Sequence, residues 1–236
     1  EKFLFWSPSE QIYGYRNIEN IFSTHTVRRG SNIHPLPKSD ALIQPTYTFG
    51  SEKGNVADYM TRNHVAGLLV IKDGKIVLEE YGLGQKPDDR WTSFSVGKSV
   101  TSTLVGAAIK DGYITSVDDL ISKYIPELAG SAYGDVKISD VLKMRTGVAW
   151  NQDYEDPASD VGRLVSSMAH DEGASLVTLM RSLKKAAPAG STWLYSTGES
   201  NMLGLLVMRA THKPLADYLS QKIWAPFGME KDAVWM

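Results

Sequence analysis

One β-hairpin followed by a change to helical spacing is the feature that most restricts how this chain can fold. Val65–Ile71 is apolar and typical of a strand, and Ile76–Tyr81 returns after Lys72-Asp73-Gly74-Lys75. Asp-Gly favours a tight turn because glycine tolerates a positive φ. From Ser95 to Lys110 the apolar residues recur at helical spacing, which predicts a helix ended by Asp111-Gly112. Strands followed by helices predict an α/β or α+β fold.

The rest of the chain divides into an irregular N-terminal part and a mainly helical second half. Residues 1 to about 60 are rich in proline and aromatic residues, which predicts a segment that wraps the surface of the fold. Further helices are predicted over Val117–Tyr124, Ile138–Met144, Leu176–Lys185, Ser200–Ala210 and Leu215–Trp224. Ala233–Met236 is typical of the start of a strand. Because two strands cannot cover several helices, we expect later residues of the same protein or a second chain to complete the sheet.

The composition is that of a folded protein and argues against several functions. Of the 236 residues, 42% are hydrophobic, which is enough apolar surface to close a core. The 25 lysine and arginine residues and 27 aspartate and glutamate residues give a net charge of -2, so there is no electrostatic reason to bind nucleic acid or an anionic membrane. No apolar run reaches the roughly 18–20 residues of a membrane span.

Motifs of nucleotide, phosphate and metal sites are absent from the sequence. There is no cysteine, which excludes thiol catalysis and thiolate metal sites. No G-x-x-x-x-G-K-[ST], G-x-G-x-x-G, H-E-x-x-H or G-x-S-x-G pattern occurs. The histidines are scattered, and no two lie three or four residues apart: His25, His34, His64, His170 and His212. We therefore predict no metal and no cofactor.

Serine and lysine remain as the groups that could carry catalysis. Ser95-Val96-Gly97-Lys98 places a hydroxyl and an ammonium on one face at the start of the predicted helix. A lysine whose pKa is lowered by burial or by cationic surroundings can activate a serine. The helix start also directs free backbone N–H groups and the positive end of the helix dipole at the reacting atom, which suits a developing oxyanion.

The same spacing occurs again at Ser182-Leu183-Lys184-Lys185, so the motif alone is weak. Ser182 lies in a polar, basic helix end, where Lys184 and Lys185 are best interpreted as solvated. Ser95 instead opens a helix lined with small residues, which allows close packing around Lys98. Ser95 is therefore the candidate nucleophile.

Tyr195 is the candidate proton acceptor. Pro188-Ala189-Gly190 predicts a turn, and Tyr195 follows it shortly before the helix predicted from Ser200. A nearby lysine cation lowers the pKa of a phenol, and the phenolate can then take the serine proton. On spacing alone, a core aromatic with a hydrogen-bonded hydroxyl is the simpler interpretation.

Several blocks follow one another from Trp91 to Trp235 in an order typical of a known superfamily. They are Trp91–Ser99, Asp111–Ile114, Tyr124–Leu128, Ile138–Gly147, Pro188–Gly190 with Tyr195-Ser196, and Pro226–Met229. With these blocks the chain resembles the serine β-lactamase and penicillin-binding-protein superfamily. It is most similar to the class C-like branch that includes esterases and 6-aminohexanoate-dimer (nylon-oligomer) hydrolases.

The resemblance implies a role for each matching residue. Ser95 matches the serine that becomes acylated, and Lys98 matches the lysine that shares its proton. Tyr195 matches the tyrosine of the Y-x-N motif, which is a base toward Ser95 and an acid toward the leaving group. Lys98 and Tyr195 would titrate as a pair. The implied reaction is attack on an amide or ester carbonyl, followed by hydrolysis of the acyl-enzyme.

Two further residues bear on the substrate. Thr197 stands where Y-x-N has asparagine, and a hydroxyl cannot reproduce the donor and acceptor of an amide. This departure argues against recognition of a β-lactam side-chain amide and favours the nylon-oligomer branch. In that branch a second tyrosine clamps the substrate amide, and Tyr154 matches it. The alternative for Tyr154 is an exposed loop tyrosine.

The resemblance also implies the fold, an antiparallel β-lactamase-like sheet flanked by helices with a helical subdomain. We expect a single incomplete domain over 1–236, with the wrap and hairpin in 1–90 and the nucleophile helix and helical subdomain in 91–236. The family's K-T-G motif follows its tyrosine, whereas Arg145-Thr146-Gly147 precedes Tyr195 and no such motif comes after it, so we expect the late strands to be missing from this chain.

The sequence thus predicts a serine hydrolase acting on small amides or esters. The alternatives are a β-lactamase or peptidoglycan DD-peptidase, and, from another class, a non-catalytic ligand-binding module. The resemblance favours a periplasmic or secreted location over a cytoplasmic one.

Overall fold

The chain divides into two compact units. The computed structural model describes residues 3–167 and 173–236, so His170 lies outside the described residues. We call Thr26–Arg28 with Ser93–Trp224 the helical unit. The chain up to His25, Arg29–Thr92 and Ala225–Met236 form the strand unit.

The chain before Ser93 contains short strands and two α-helices, joined by irregular segments. In order they are α1 (Pro8–Arg16), β1 (His25–Val27), β2 (Thr46–Phe49), β3 (Glu52–Asn55), α2 (Val56–Arg62), β4 (Gly67–Lys72) and β5 (Lys75–Tyr81). β2 pairs with β3 and β4 with β5, both antiparallel. Asp73 and Gly74 join β4 to β5 with φ of 51° and 75°, the left-handed geometry that a two-residue hairpin turn requires. The predicted hairpin is therefore confirmed.

The prediction that residues 1 to about 60 are irregular is wrong in part. α1 and α2 both begin with a capping box, in which the residue just before the helix and the residue three positions after it cap each other's backbone N–H groups. At α1, Glu10 accepts the Ser7 N–H at 2.8 Å, and at α2, Asp58 accepts the Asn55 N–H at 2.9 Å. These helices are short and lack a long apolar stripe, so periodicity missed them, whereas the capping pattern could have found them.

The helical unit is built around two packed helices. Its helices are α3 (Gly97–Lys110), α4 (Ile138–Leu142), α5 (Asp160–Ser167), α6 (Ala174–Ser182), α7 (Thr197–Thr211) and α8 (Leu215–Leu219). α3 packs against α7, and Leu104 of α3 and Leu206 of α7 are fully buried. Burial of each such side chain stabilises the fold by about 1.5–3 kcal/mol. The chain ends with β6 (Ala233–Trp235) in the strand unit.

One predicted helix is wrong, and others end earlier than predicted: α4 ends at Leu142 instead of Met144, and α8 at Leu219 instead of Trp224. Val117–Tyr124 contains a single 3-10 turn, Ile121–Lys123. The backbone of this segment bonds to another part of the chain instead: the Ile121 N–H donates to the Val136 carbonyl at 2.9 Å, and the Val117 carbonyl accepts from the Ser139 N–H at 2.8 Å. α6 ends at Ser182, and Lys185 forms a β-bridge with Val148. Within the described parts of the chain, no helix combines the length and apolar character that crossing a bilayer requires.

Candidate active site

Ser95 lies in the turn that leads into α3. Phe94–Val96 form one 3-10 turn immediately before Gly97, so the predicted helix start is correct to within two residues. Phe94 has a φ of 45°, a left-handed conformation that costs a residue with a side chain about 1–3 kcal/mol. The surrounding fold therefore holds this turn, and the Ser95 side chain is exposed at its end.

Lys98 and Tyr195 both contact the Ser95 hydroxyl. Lys98 Nζ donates to Ser95 Oγ at 3.1 Å, and Tyr195 Oη donates to the same oxygen at 3.0 Å. The Lys98 ammonium also lies 5.3 Å from the centre of the Tyr195 ring. The structure thus brings together three residues that the sequence separates by up to 100 positions.

The surroundings of Tyr195 favour loss of its proton. Partial burial of the phenol opposes ionisation, but hydrogen bonds with Ser95 and Lys98 and the charge of Lys98 outweigh it. The pKa of Tyr195 is consequently lowered from its ordinary value. A phenol with a lowered pKa is a better candidate base than an unperturbed tyrosine.

The second S-x-x-K has no comparable arrangement. Ser182 Oγ donates to the Leu179 carbonyl at 2.6 Å, as a serine at a helix end commonly does. Lys185 instead pairs with Asp135 at 2.9 Å. The hydroxyl and the ammonium of this motif are thus engaged with different partners.

Thr197 is the first residue of α7 and follows Tyr195 by two positions. Between them, Ser196 has extended backbone with φ of -138° and ψ of 114°, and its buried side chain accepts the Glu199 N–H at 3.2 Å to cap α7. Tyr154 Oη lies 3.2 Å from Thr197 Oγ1, so the two predicted substrate residues are also together.

Gln152 joins these two hydroxyls and was not singled out from the sequence. Its Nε2 donates to Tyr154 Oη at 2.9 Å and to Thr197 Oγ1 at 2.6 Å. Its Oε1 accepts from the Thr197 backbone N–H at 3.0 Å and from the Trp150 indole N–H. A single glutamine in a loop gives no sequence signal, because its contacts with Thr197 come from α7, 45 residues further on.

Glu199 is a buried acid in the first turn of α7. It is 2% exposed; one carboxyl oxygen accepts from Thr146 and from Tyr133, and the other has no hydrogen-bond partner among the described residues. Burial raises the pKa of Glu199 to about 7 despite these hydrogen bonds. Sequence reasoning missed this residue, although a lone acid at the start of an apolar helix was a usable signal.

Hydroxyl, amine and phenol groups define the chemistry of this site. Across residues 3–167 and 173–236, no three His, Asp or Glu side chains lie close enough to hold a metal ion together. An exposed hydroxyl that touches an amine and a phenol can serve as a nucleophile with two groups to carry its proton.

The chain belongs to the β-lactamase family, whose model matches residues 53–235. It is 32% identical over 176 residues to the 6-aminohexanoate-dimer hydrolase of Paenarthrobacter ureafaciens, which covers 70% of this chain and 43% of that protein. It is 31% identical over 223 residues to an Escherichia coli (strain K12) protein named "Putative D-alanyl-D-alanine carboxypeptidase", covering 86% of this chain and 48% of the other. The chain thus spans about half the length of these relatives.

Solved structures show the same fold. The structure titled "Putative 6-aminohexanoate-dimer hydrolase from Bacillus anthracis" matches with a TM-score of 0.83 at 20% identity, over 100% of this chain and 63% of the other. A class C β-lactamase in complex with cefoxitin matches with a TM-score of 0.51 at 22% identity, over 68% of this chain and 44% of that one. These likenesses confirm the expected β-lactamase-like fold.

Proposed function

We propose that this chain carries the catalytic centre of a serine hydrolase that cleaves amide or ester bonds of small acyl compounds through an acyl-enzyme on Ser95. The proposal rests on one observation, the contact of Lys98 Nζ and Tyr195 Oη with Ser95 Oγ at 3.1 and 3.0 Å. A structural serine gives its hydrogen to one acceptor, as Ser182 does to Leu179. An exposed serine between an amine and a phenol suits proton transfer instead.

Acylation follows from these contacts. Tyr195 in its phenolate form takes the proton of Ser95 as Oγ bonds to the substrate carbonyl carbon, and the carbonyl π electrons move to oxygen. The Lys98 cation stabilises the phenolate, and the Ser95 backbone N–H donates to the oxyanion. The tetrahedral intermediate then collapses: its bond to the leaving nitrogen or oxygen breaks, and that atom takes the proton back from Tyr195.

Deacylation repeats these steps with water as the nucleophile. Tyr195 takes a proton from water as the water oxygen bonds to the acyl carbon. The Ser95 ester bond then breaks, and the Ser95 oxygen recovers a proton from Tyr195. The acid product leaves, and the site returns to its starting state.

The names of the relatives support a small amide as substrate. The 32% identical relative is named for hydrolysis of a 6-aminohexanoate dimer. In this proposal Tyr154 and Thr197 contact the substrate next to the scissile bond, because Thr197 follows Tyr195 by two residues and Tyr154 Oη lies 3.2 Å from Thr197 Oγ1.

Two serine substitutions test the assignment. Ser95→Ala is expected to abolish hydrolysis of a chromogenic para-nitrophenyl ester, because no other hydroxyl at the site replaces the nucleophile. Ser182→Ala is the matched control, since it removes the serine of the second S-x-x-K, and it should retain turnover. Comparable activity in both variants would refute Ser95 as the nucleophile.

A peptidoglycan peptidase is the second candidate, favoured by the relative named as a carboxypeptidase. Such an enzyme forms a slowly released covalent adduct with penicillin at its serine. Mass spectrometry of the protein after incubation with penicillin distinguishes the two: a long-lived adduct on Ser95 supports the peptidase. Thr197 in place of asparagine argues for the small-molecule hydrolase, which should yield no lasting adduct.

A further inference from the structure

The chain that leads to Tyr195 is held by one short segment. We call residues 186–194 the tyrosine loop and residues 144–147 the supporting turn. The N–H groups of Gly190 and Leu194 donate to carbonyls of the supporting turn at 2.7 and 3.0 Å. Because Leu194 directly precedes Tyr195, the supporting turn fixes the point from which the Tyr195 side chain starts.

Gly147 brings the supporting turn into direct contact with the tyrosine loop. Its carbonyl accepts the N–H groups of Ala186 and Ala187 at 2.8 and 2.9 Å. Gly147 has a φ of 72°, and a Cβ at this position would clash with the Ala187 carbonyl. Since the two segments are in contact without space between them, a shift of the supporting turn also shifts the tyrosine loop.

Thr146 joins the supporting turn to the first turn of α7. Its buried hydroxyl donates to Glu199 Oε1 and accepts the Val148 N–H at 3.2 Å. The backbone N–H of Glu199 donates to Ser196 Oγ at 3.2 Å, one residue after Tyr195. Glu199 thus binds the chain on both sides of Tyr195, the supporting turn with its carboxyl group and Ser196 with its backbone.

Stability alone does not account for an acid at position 199. Glu199 is 2% exposed, and its Oε2 has no hydrogen-bond partner among the described residues. A buried carboxyl oxygen without a partner costs free energy, whereas an apolar side chain at this position of α7 would not. The acid is therefore best explained by what its Oε1 holds in place.

We propose that Glu199 is a positioning residue for Tyr195: through Thr146 it holds the supporting turn, and with it the tyrosine loop, where Tyr195 Oη reaches Ser95 and Lys98. The inference rests on the proposed hydrolase function at Ser95. Because Glu199 acts through other residues, its loss should change the behaviour of the phenol rather than remove the nucleophile.

Thr146→Val and Tyr133→Phe form a matched pair, since each removes one hydroxyl from the same Glu199 oxygen. Only the Thr146 hydroxyl belongs to the supporting turn. Thr146→Val should lower kcat/KM for para-nitrophenyl acetate about 3- to 10-fold at neutral pH, the value of one net hydrogen bond. It should also move the rise of activity to higher pH, because Tyr195 shifts away from the Lys98 cation that lowers its pKa. Tyr133→Phe should leave the pH profile at the wild-type position.

Two variants of Glu199 itself give a second comparison. Glu199→Leu cannot accept from Thr146 and should show the same shift of the pH profile, whereas Glu199→Gln keeps an acceptor oxygen and should restore the wild-type position. Thr146→Val combined with Glu199→Leu should lose no more activity than either single variant, since both remove the same bond. A merely structural role of Glu199 would lower the fraction of folded enzyme without moving the pH at which activity rises.

The pH profile of ester hydrolysis is measured for each full-chain enzyme. An equal shift in Thr146→Val and Tyr133→Phe, or no shift in either, with turnover still dependent on Ser95, overturns this inference alone. Should Thr146→Val fail to fold, Glu199→Leu against Glu199→Gln decides in its place, and identical profiles for these two overturn the inference equally. Absence of Ser95-dependent turnover of the ester in the wild type overturns the proposed function instead.

Discussion

At the scale of single residues, Ser95, Lys98 and Tyr195 form one interacting group. Lys98 contributes twice, through its contact with Ser95 Oγ and through its position over the Tyr195 ring. Since the charge of Lys98 is one cause of the lowered pKa of Tyr195, the two residues cannot be altered independently.

Replacement of Lys98 should therefore change the pH dependence as well as the rate. Activity that needs the Tyr195 phenolate rises with pH through the pKa of Tyr195. Lys98→Met removes the cation that lowers this pKa, so the rise should move to higher pH, and kcat/KM near neutrality should fall about 100-fold or more. Lys185→Met, which removes a lysine paired with Asp135, is the control. A pH profile of ester hydrolysis that is identical in Lys98→Met and wild type would contradict this role.

Glu199 should make stability depend on pH. Its pKa is raised by burial to about 7 in the folded protein, above the value of 4.5 of an unperturbed glutamate. The folded state then binds the proton of Glu199 more tightly, so the contribution of this residue to stability is fully present below a pH of about 4.5 and is lost as the pH rises through about 7. The loss is at most about 3 kcal/mol.

Glu199→Gln isolates this effect because it keeps the shape and removes the titration. The free energy of unfolding of wild type, measured in urea, should fall relative to that of Glu199→Gln over this pH range. Glu155→Gln, at an exposed position, should instead follow the wild-type curve. Parallel curves for wild type and Glu199→Gln would exclude a titrating Glu199.

At the scale of helices, α3 and α7 position the site because the site residues lie at the N-terminal ends of these two helices. Ser95 and Lys98 lie at the start of α3, and Tyr195 and Thr197 at the start of α7. Since the two helices pack against each other, the distance between their starts is fixed by the core.

Two glycines in these helices should respond in opposite ways to alanine. A Cβ on Gly106 of α3 meets nothing within 4 Å, whereas one on Gly198 of α7 would lie 2.7 Å from Met180 Sδ and from a Trp150 ring carbon. Gly106→Ala should stabilise the protein by about 0.5–1 kcal/mol through helix propensity. Gly198→Ala should destabilise it by about 1–3 kcal/mol through overpacking. The melting temperature of each variant measures the effect. An equal shift in melting temperature for the two variants would show that the close contacts at Gly198 do not destabilise the alanine variant.

Local patterns predicted most of the elements, and long-range contacts account for the failures. The hairpin from Val65 to Tyr81 and the helix ending at Lys110 carry their own signals in turn residues and apolar spacing. The segment from Val117 to Tyr124 has helical spacing, but its polar side chains bind elsewhere, including Lys137 to Asp118 at 3.1 Å. In the same way the S-x-x-K and Tyr195 were visible as motifs, while Gln152 and Glu199 gain their roles only from residues distant in sequence.

At the scale of the whole molecule, the five residues singled out from the sequence belong to one compact unit. The nucleophile candidate, its two partners and the pair at Thr197 all lie within Ser93–Trp224. The family match over 53–235 includes all of Ser93–Trp224 and part of the strand unit. The fold was recognised from ordered blocks along the chain, since no single motif would have been specific enough.

A fluorophosphonate probe separates a hydrolase from a binding module. Such probes phosphonylate serines that are activated as nucleophiles, so the full chain should take up one probe, and peptide mapping by mass spectrometry should locate it at Ser95. Heat-denatured protein is the control and should remain unlabelled, because labelling needs the assembled site. Folded protein that takes up no probe would favour the binding module.

The left-handed backbone of Phe94 means that the cost of presenting Ser95 is met during folding. Its φ of 45° belongs to the folded backbone itself. A hydroxyl delivered in this way needs no reorganisation at the moment of attack, which is the condition under which fixed dipoles lower a barrier most. The reactivity of Ser95 thus depends on the backbone conformation of Phe94, the residue that precedes it.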